Sequence, residues 1–315
     1  MKHGWTMGLF LVAGISGLLL TPLRSQDSGP RVSIIPRPSH RTLNKRPSDA
    51  IRLDVNLVLV PVMVTDVYER PVKGLHKEDF KLFEDGVEQN ISKLFTQETP
   101  ISIGIVFDAS ASMMHKMEQS RSAITEFLRM SVPGDEFFLL RFSDHPEPLR
   151  AFTKDPAEIE DGAEHIRAAG WTALYDALYL AINNMRHAAY DRKVLLVMSD
   201  GGDNNSRYSE HEIKELVRES DVRIFAISIL DRSPTLEKLA EESGGRAYRV
   251  RKLDDLPDLA ANVSVDIHNE YVLGYLPSTQ AYDGKYRKLK VEVVQPAGAP
   301  PLHASWRRGY YGPAE

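Results

Sequence analysis

The chain has 315 residues, enough for one large domain and a smaller companion, and 42% of them are hydrophobic, which is ample for a buried core. Its 44 acidic residues against 39 basic ones give a formal net charge of −5, so no strongly basic face is implied and no nucleic-acid partner is expected. The absence of cysteine excludes disulfides, thiolate zinc sites and cysteine nucleophiles.

Residues 1–26 have the features of a secretory signal peptide. A short, positively charged start precedes a mostly apolar run from Met7 to Leu20, which is shorter than the ~20 residues that a membrane-spanning helix needs. We therefore expect export to the periplasm, the cell envelope or the extracellular space. Residues 23–26 make a poor small-x-small cleavage site, so an uncleaved N-terminal membrane anchor is the alternative.

The next two segments are a predicted linker and a predicted β segment. Residues 27–50 are rich in Pro, Ser and Arg, which is typical of a disordered linker. From residue 51, apolar and polar residues alternate, which predicts a half-buried strand that continues through residues 62–65. The buried face of this strand is expected to consist of Ile51, Leu53, Val55, Leu57 and Leu59.

Two β segments, residues 51–98 and 271–315, flank the middle of the chain. In the first, the turn at residues 84–86 is predicted to join strands 80–83 and 91–95 as a hairpin. The second is predicted to contain strands at residues 271–275, 286–294 and 303–311. Because neither segment has enough strands for its own core, we expect the two to pair into one β-sandwich-like accessory domain.

Residues 99–270 alternate between strand and helix patterns, which predicts an α/β fold with a doubly wound, mainly parallel sheet. Strands are predicted at residues 101–107, 136–142, 194–198 and 222–230, with a short edge strand at 149–153. Helices are predicted at residues 116–130 and 256–268, after Thr172, and before a C-cap at Gly244. The helix after Thr172 has a continuous apolar face formed by Leu174, Ala177, Leu178, Ala181, Ile182 and Met185.

Oxygen-bearing side chains follow two of these strands. Asp108, Ser110 and Ser112 alternate with alanines directly after strand 101–107, and Asp200 follows strand 194–198. Thr172 stands at the head of a helix. Because the carboxyl ends of strands in an α/β sheet share one edge, these five side chains are expected to meet there. Such hard oxygens suit Mg²⁺, Mn²⁺ or Ca²⁺ better than a soft metal.

The five residues fill every position of the pattern DxSxS, distant Thr, distant Asp, and so resemble the metal-ion-dependent adhesion site of von Willebrand factor A (VWA) domains. Longer phrases such as GWTALYDAL and VMSDGGDN are similar to a subfamily of secreted bacterial VWFA-related proteins, from about Val55 onward. The resemblance implies a site that binds Mg²⁺ (or Mn²⁺ or Ca²⁺) directly or through water, with Asp200 acting through water or as an outer acceptor. An open coordination position would then take a carboxylate from a partner protein.

Three neighbouring residues are candidates for secondary roles at this site. Asp144 ends the adjacent strand and is an outer-shell candidate. Trp171 is either a core residue or, if exposed, a contact for the partner. Asp203 is more readily explained by the turn that follows Asp200. Taken alone, Ser110, Ser112 and Thr172 are also explained as helix-capping residues.

The expected function is therefore metal-dependent protein binding, of the adhesion type, and not catalysis. Two alternatives are open. A Mg²⁺-dependent hydrolase or phosphatase could use Asp108 as nucleophile, but such enzymes generally want a second carboxylate two residues on, where this chain has Ser110. Neither a glycine-rich phosphate loop nor a poised lysine is expected at this site. The chain could also be a scaffold in which a metal only stabilises the fold.

Overall fold

The computed structural model describes residues 57–96, 99–278, 283–295 and 301–313. The predictions of a signal peptide or anchor at residues 1–26, a linker at 27–50 and the start of the first strand lie outside the described residues. Within the described ranges, no helix is both long enough and apolar enough to cross a membrane.

The described residues form fourteen strands and six α-helices. The strands are β1 (Val58–Thr65), β2 (Phe80–Glu84), β3 (Val87–Gln89), β4 (Ile91–Phe95), β5 (Ser102–Asp108), β6 (Glu136–Phe142), β7 (Pro146–Thr153), β8 (Lys193–Ser199), β9 (Val222–Ile229), β10 (Arg246–Val250), β11 (Tyr271–Tyr275), β12 (Tyr286–Val293), β13 (His303–Trp306) and β14 (Gly309–Tyr311). The helices are α1 (Met117–Arg129), α2 (Pro156–Glu164), α3 (Leu174–Asn184), α4 (Glu210–Glu219), α5 (Pro234–Ser243) and α6 (Leu256–His268).

A six-stranded sheet with the order β10-β9-β8-β5-β6-β7 forms the middle of the fold. Its strands are parallel except for β7, which runs antiparallel to β6 at the edge. Helices α1, α2 and α6 pack on one face and α3, α4 and α5 on the other. The predicted doubly wound, mainly parallel sheet is thus confirmed. The central strand β5 is buried along its whole length, and it ends at Asp108.

Two helix predictions are also confirmed at the level of single residues. The predicted apolar face after Thr172 is the buried face of α3, and Met185 is buried in the turn that follows. Gly244 ends α5 in the left-handed conformation, with φ of 79°. The first predicted helix begins slightly later than expected, because Ala111–Lys116 forms a 3₁₀-helix before α1.

The flanking segments form two further four-stranded sheets, β13-β1-β11-β4 and β14-β12-β2-β3. Each sheet contains strands from both segments, so the predicted pairing of the two segments is confirmed. One apolar core lies between the sheets and includes Val62, Leu82, Leu273 and Val291, all of them buried. In this core Phe80 packs against Tyr271 with ring centroids 5.3 Å apart.

The predicted hairpin between residues 80–83 and 91–95 is wrong. Strand β2 instead pairs with β3 through a two-residue turn, Asp85-Gly86, in which both residues have positive φ (48° and 84°), as in the hairpin turns that match strand twist. Beyond Asn90 the chain crosses to the other sheet, where β4 pairs with β11. Residues 87–89 therefore supply the hairpin partner, and Ile91 is buried in the shared core.

Two further strand predictions need correction. Leu59 is 54% exposed, whereas Val60, Val62 and Val64 face the sandwich core, so the predicted buried face of the first strand is wrong at this position. The alternation is misleading because Met63, on the opposite face of β1, is also buried, against the core of the six-stranded sheet. The predicted strand at residues 303–311 is two strands in different sheets, because the chain passes between the sheets at residues 307–308.

Candidate metal centre

Asp108 lies at the carboxyl end of β5 and is fully buried. The backbone N–H of Ser110 donates to its Oδ1 at 2.8 Å, and the Ser199 hydroxyl donates to its Oδ2 at 2.5 Å. Burial raises the pKa of the Asp108 carboxyl, and the nearby charge of Asp200 acts in the same direction, while the hydrogen bonds from Ser199 and Ser110 oppose the shift. Both carboxylate oxygens are thus held in fixed directions.

A chain of hydroxyls connects this loop to the end of β8. The Oγ atoms of Ser110 and Ser112 lie 3.0 Å apart, and the Ser112 hydroxyl donates to Asp200 Oδ1 at 2.8 Å. Ser110 precedes the 3₁₀-helix, but its side chain makes no capping hydrogen bond. The structure therefore brings Ser110, Ser112 and Asp200 together, and the Ser110 side chain contacts Ser112 and does not cap the 3₁₀-helix.

Thr172 is nearly buried in a loop that is tied to the motif loop by backbone hydrogen bonds. The N–H of Ala111 donates to the Gly170 carbonyl at 3.0 Å, and the N–H of Thr172 donates to Asn204 Oδ1 at 2.8 Å. Among the described residues, none is hydrogen-bonded to the Thr172 hydroxyl. The residue before α3 is Ala173, so the expectation that Thr172 is the N-cap residue is wrong.

Asp144 and Asp203 contact the supporting loops and make no hydrogen bond to the motif residues among the described part of the chain. Asp144 Oδ1 accepts from the Trp171 N–H at 2.8 Å. A side chain on Gly170 would come within 2.4 Å of Asp144 Oδ2, which explains the glycine there. Asp203 accepts from the Ser206 hydroxyl and from the Tyr175 N–H at 3.3 Å, at the start of α3. Both carboxylates therefore position the loop that carries Thr172.

Sequence reasoning missed two residues of this network, Ser199 and Lys116. The Lys116 ammonium forms an ion pair with Asp200 Oδ2, and the two side chains are 15% and 1% exposed. Ser199 stands directly before Asp200, and that position was an available signal. Lys116 ends the 3₁₀-helix after the motif, and nothing in the local sequence indicates that it pairs with Asp200.

The candidate oxygens suit a hard divalent cation. The five predicted residues supply two carboxylates and three hydroxyls, of which hydrogen bonds join those of Ser110, Ser112 and Asp200. The described ranges contain no group of three or more His, Cys, Asp or Glu residues arranged to hold a metal. Two buried carboxylates that raise each other's energy favour a nearby cation. A small number of anionic ligands is compatible with Mg²⁺, which keeps several waters.

The network reaches the surface beside two large apolar side chains. Ser112 is exposed, and Met114, two residues on, is 58% exposed. Trp171, directly before Thr172, is 65% exposed, so it is not a core residue. This edge of the sheet therefore combines polar oxygens with accessible apolar surface, a composition found at protein interfaces.

Comparison with known proteins identifies the family to which the six-stranded sheet and its helices belong. The family model described as "von Willebrand factor type A domain" matches residues 102–262, about half of the chain, and the chain belongs to this family. The match begins at β5 and includes every residue of the candidate centre.

Individual relatives are more distant. Inter alpha-trypsin inhibitor, heavy chain 4, of Mus musculus is 27% identical over an alignment of 169 residues, and the match covers 48% of this chain and 18% of that protein. The chain thus spans less than a fifth of the length of this curated relative. A solved structure of a von Willebrand factor type A protein from Catenulispora acidiphila has a TM-score of 0.51 and 14% identity, covers 74% of each chain and shows a likeness of fold. Proximal thread matrix protein 1 from the mussel byssus has a TM-score of 0.46 and 19% identity over 53% of this chain and 47% of its own.

Proposed function

We propose that this chain is an exported, divalent-metal-dependent protein-binding module. In this proposal Asp108, Ser110, Ser112 and Thr172 bind Mg²⁺ (or Mn²⁺ or Ca²⁺) directly or through water. Asp200 acts through water or as an outer hydrogen-bond acceptor. The observation that carries the proposal is the continuous network from Ser110 through Ser112 to Asp200, which opens at an exposed edge of the sheet. Export rests on the sequence of residues 1–26.

The recognition chemistry follows from the charges of the site. A bound divalent ion would supply an electrostatic anchor for a carboxylate. Asp108 and Asp200 are the acidic members of the set, and so few anionic protein ligands leave an open coordination position on the ion for one more anion. Trp171 and Met114 then offer apolar contacts around that anion. We therefore expect a partner protein that presents an acidic side chain with apolar neighbours.

Several observations support binding rather than turnover. A nucleophilic carboxylate needs an oxygen that can reach the substrate. Asp108 is fully buried, and each of its oxygens accepts a hydrogen bond from the protein. The residue two positions on, Ser110, does not supply the second carboxylate that phosphatases of this type want. We expect no turnover of generic phosphoesters, and turnover that Asp108→Asn abolishes would contradict this proposal.

The metal site can be tested by calorimetric titration of Mg²⁺, Mn²⁺ and Ca²⁺ into the chelator-treated full chain. We expect the wild type to bind one ion and the Ser110→Ala, Ser112→Ala double variant to bind it at least about tenfold more weakly, because two ligand oxygens are lost. Ser122→Ala, an exposed serine on α1, is the matched control. If the wild type binds no ion, or the double variant binds as well as the control, the proposed metal site is wrong.

Partner recognition can be tested with paired peptides that differ only in Asp against Asn within an apolar context. We expect binding of the Asp peptides in Mg²⁺, and loss of binding in chelator, with the Asn peptides and with Asp108→Ala. Circular dichroism shows whether that variant is folded. Binding of the Asp peptides that survives Asp108→Ala in a folded protein would favour the scaffold alternative.

A further inference from the structure

Neither the metal-binding motif nor the packing of the fold explains why a lysine stands at position 116. It ends the 3₁₀-helix that follows the motif, and its side chain turns back to the site, where its ammonium meets Asp200 Oδ2. The other oxygen of Asp200 accepts from Ser112 at 2.8 Å. Asp200 is therefore engaged on both oxygens, by a motif hydroxyl on one and by a lysine on the other.

The Lys116–Asp200 ion pair compensates the buried negative charge of Asp200. The Asp200 side chain is 1% exposed, and a buried carboxylate without a counter-charge is strongly destabilising. Among the ion pairs of the described residues, Lys116 is the cation that pairs with a carboxylate of the site. A lysine at this place supplies the positive charge that the cluster of oxygens otherwise lacks.

In the same position, the positive charge of Lys116 opposes the binding of a divalent ion. An ion held by the motif oxygens beside Asp200 would bring like charges together in a poorly solvated space, and that repulsion is strong over a few ångströms. The Lys116 side chain is partly exposed, and its flexible four-carbon stem lets the ammonium move out to solvent. Binding of the ion and retention of the Lys116–Asp200 pair therefore exclude each other.

We propose that Lys116 is a tethered cation of this site, which holds Asp200 in the metal-free protein and competes with the divalent ion for it. This inference rests on the proposed metal-binding function. It gives Lys116 two effects of opposite sign: it stabilises the metal-free protein and it weakens metal binding. A structural lysine that did not compete would have the first effect without the second.

The experiment compares the full-length wild type with Lys116→Met, which keeps the apolar stem and removes the charge. Lys238→Met is the matched control, because Lys238 is an exposed lysine, 3.5 Å from Glu210, that contacts no residue of the site. We expect Lys116→Met to bind Mg²⁺ about tenfold more tightly than the wild type and to melt at a lower temperature without metal, with both quantities unchanged in the control. Equal Mg²⁺ affinity of wild type and Lys116→Met overturns the inference and leaves the proposed function intact.

A second measurement uses the wild type alone and does not depend on the folding of a variant. Amine acetylation, measured for each residue by mass spectrometry, reports how accessible each lysine amine is to the reagent. We expect Mg²⁺ to raise the labelling of Lys116 and to leave that of Lys238 unchanged. Labelling of Lys116 that stays constant at saturating Mg²⁺ overturns the inference, and absence of Mg²⁺ binding to wild type and variant alike overturns both the inference and the proposed function.

Discussion

Asp266 is a buried carboxylate on α6 that forms no ion pair within the described residues. Its Oδ2 accepts a hydrogen bond from the Tyr248 hydroxyl at 2.7 Å. Burial raises the pKa of Asp266 above its ordinary value of 3.8, and the Tyr248 hydrogen bond only partly opposes this. The folded protein therefore holds this proton more tightly than the unfolded chain, and Asp266 costs stability as the pH rises from 3.8 through the raised pKa.

We predict that Asp266→Asn removes this cost while keeping an acceptor for Tyr248. The free energy of unfolding of the wild type should fall relative to that of the variant as the pH rises above 3.8, and the difference should become constant once the raised pKa is passed. Urea denaturation from about pH 3 to about pH 7 measures both curves. The exposed Asp254→Asn controls for the loss of one negative charge. Parallel curves for wild type and Asp266→Asn would contradict the prediction.

At the residue scale, a local pattern predicts Asp108, Ser110 and Ser112 as site residues, because they alternate with alanines directly after an apolar strand. The structure places these three residues at the end of β5, and their role as metal ligands stays a prediction. Lys116 was missed because its partner, Asp200, is 84 positions away and becomes a neighbour only when β5 and β8 lie side by side. Periodicity within a helix cannot reveal such a partner.

The connection from α6 to β11 is held by a buried cluster of charges. Glu270, with a side chain that is 1% exposed, forms ion pairs with Arg223 and, at 3.1 Å, with Arg192. Arg192 also donates to the Ile267 carbonyl at 3.0 Å, at the end of α6. Burial and the like charge of Arg192 lower the pKa of Arg223 to about 9. One carboxylate thus compensates two arginines between a helix and a strand.

We predict that Glu270→Gln lowers the free energy of unfolding by about 3–5 kcal/mol, because the buried guanidinium of Arg223 and the partly buried one of Arg192 lose their counter-charge. The matched control is Glu241→Gln, because Glu241 is 71% exposed and lies 3.9 Å from Arg308. The control should change the free energy of unfolding by no more than about 0.5 kcal/mol. Urea denaturation of both variants tests this, and equal losses would show that burial of the cluster is unimportant.

At the scale of elements, the sequence distinguished strands from helices, but it did not predict which strands pair with each other. The spacing of apolar residues predicted α3 and the approximate first and last residues of β5, β6 and β9. It misassigned the partner of β2, because residues 87–89 are too short and too polar to register as a strand, yet they complete a tight hairpin. Pairing depends on backbone geometry at the turn, and apolar periodicity does not report that geometry.

At the largest scale that the structure describes, the two accessory sheets combine strands that precede the six-stranded sheet in the chain with strands that follow it. In one sheet β11 lies between β1 and β4, and in the other β12 lies between β14 and β2. Without β11 to β14, the first four strands would be reduced to one short hairpin, β2-β3, and two strands, β1 and β4, that have no neighbouring strand. Such a remnant cannot bury the apolar face of β1.

We predict that a chain ending at Glu270 loses the accessory domain and keeps the six-stranded sheet. Amide hydrogen exchange should show loss of protection in β1, β2 and β4, because Val60, Val62 and Leu82 lose the opposite wall of their core. Protection in β5 and β8 should persist, since their neighbours are untouched and Glu270 is retained. Continued protection of β1 would show that it is held by Met63 and the six-stranded sheet alone.

The sequence by itself determined the class of fold, the alternation of strands and helices in residues 99–270 and the oxygen-bearing residues at the strand ends, because each depends on residue type and short-range periodicity. Only the tertiary structure decided which strands pair, which face of β1 is buried and which cation meets Asp200. These depend on contacts between residues far apart in the chain. Such contacts form when several elements pack at once, so no local pattern records them.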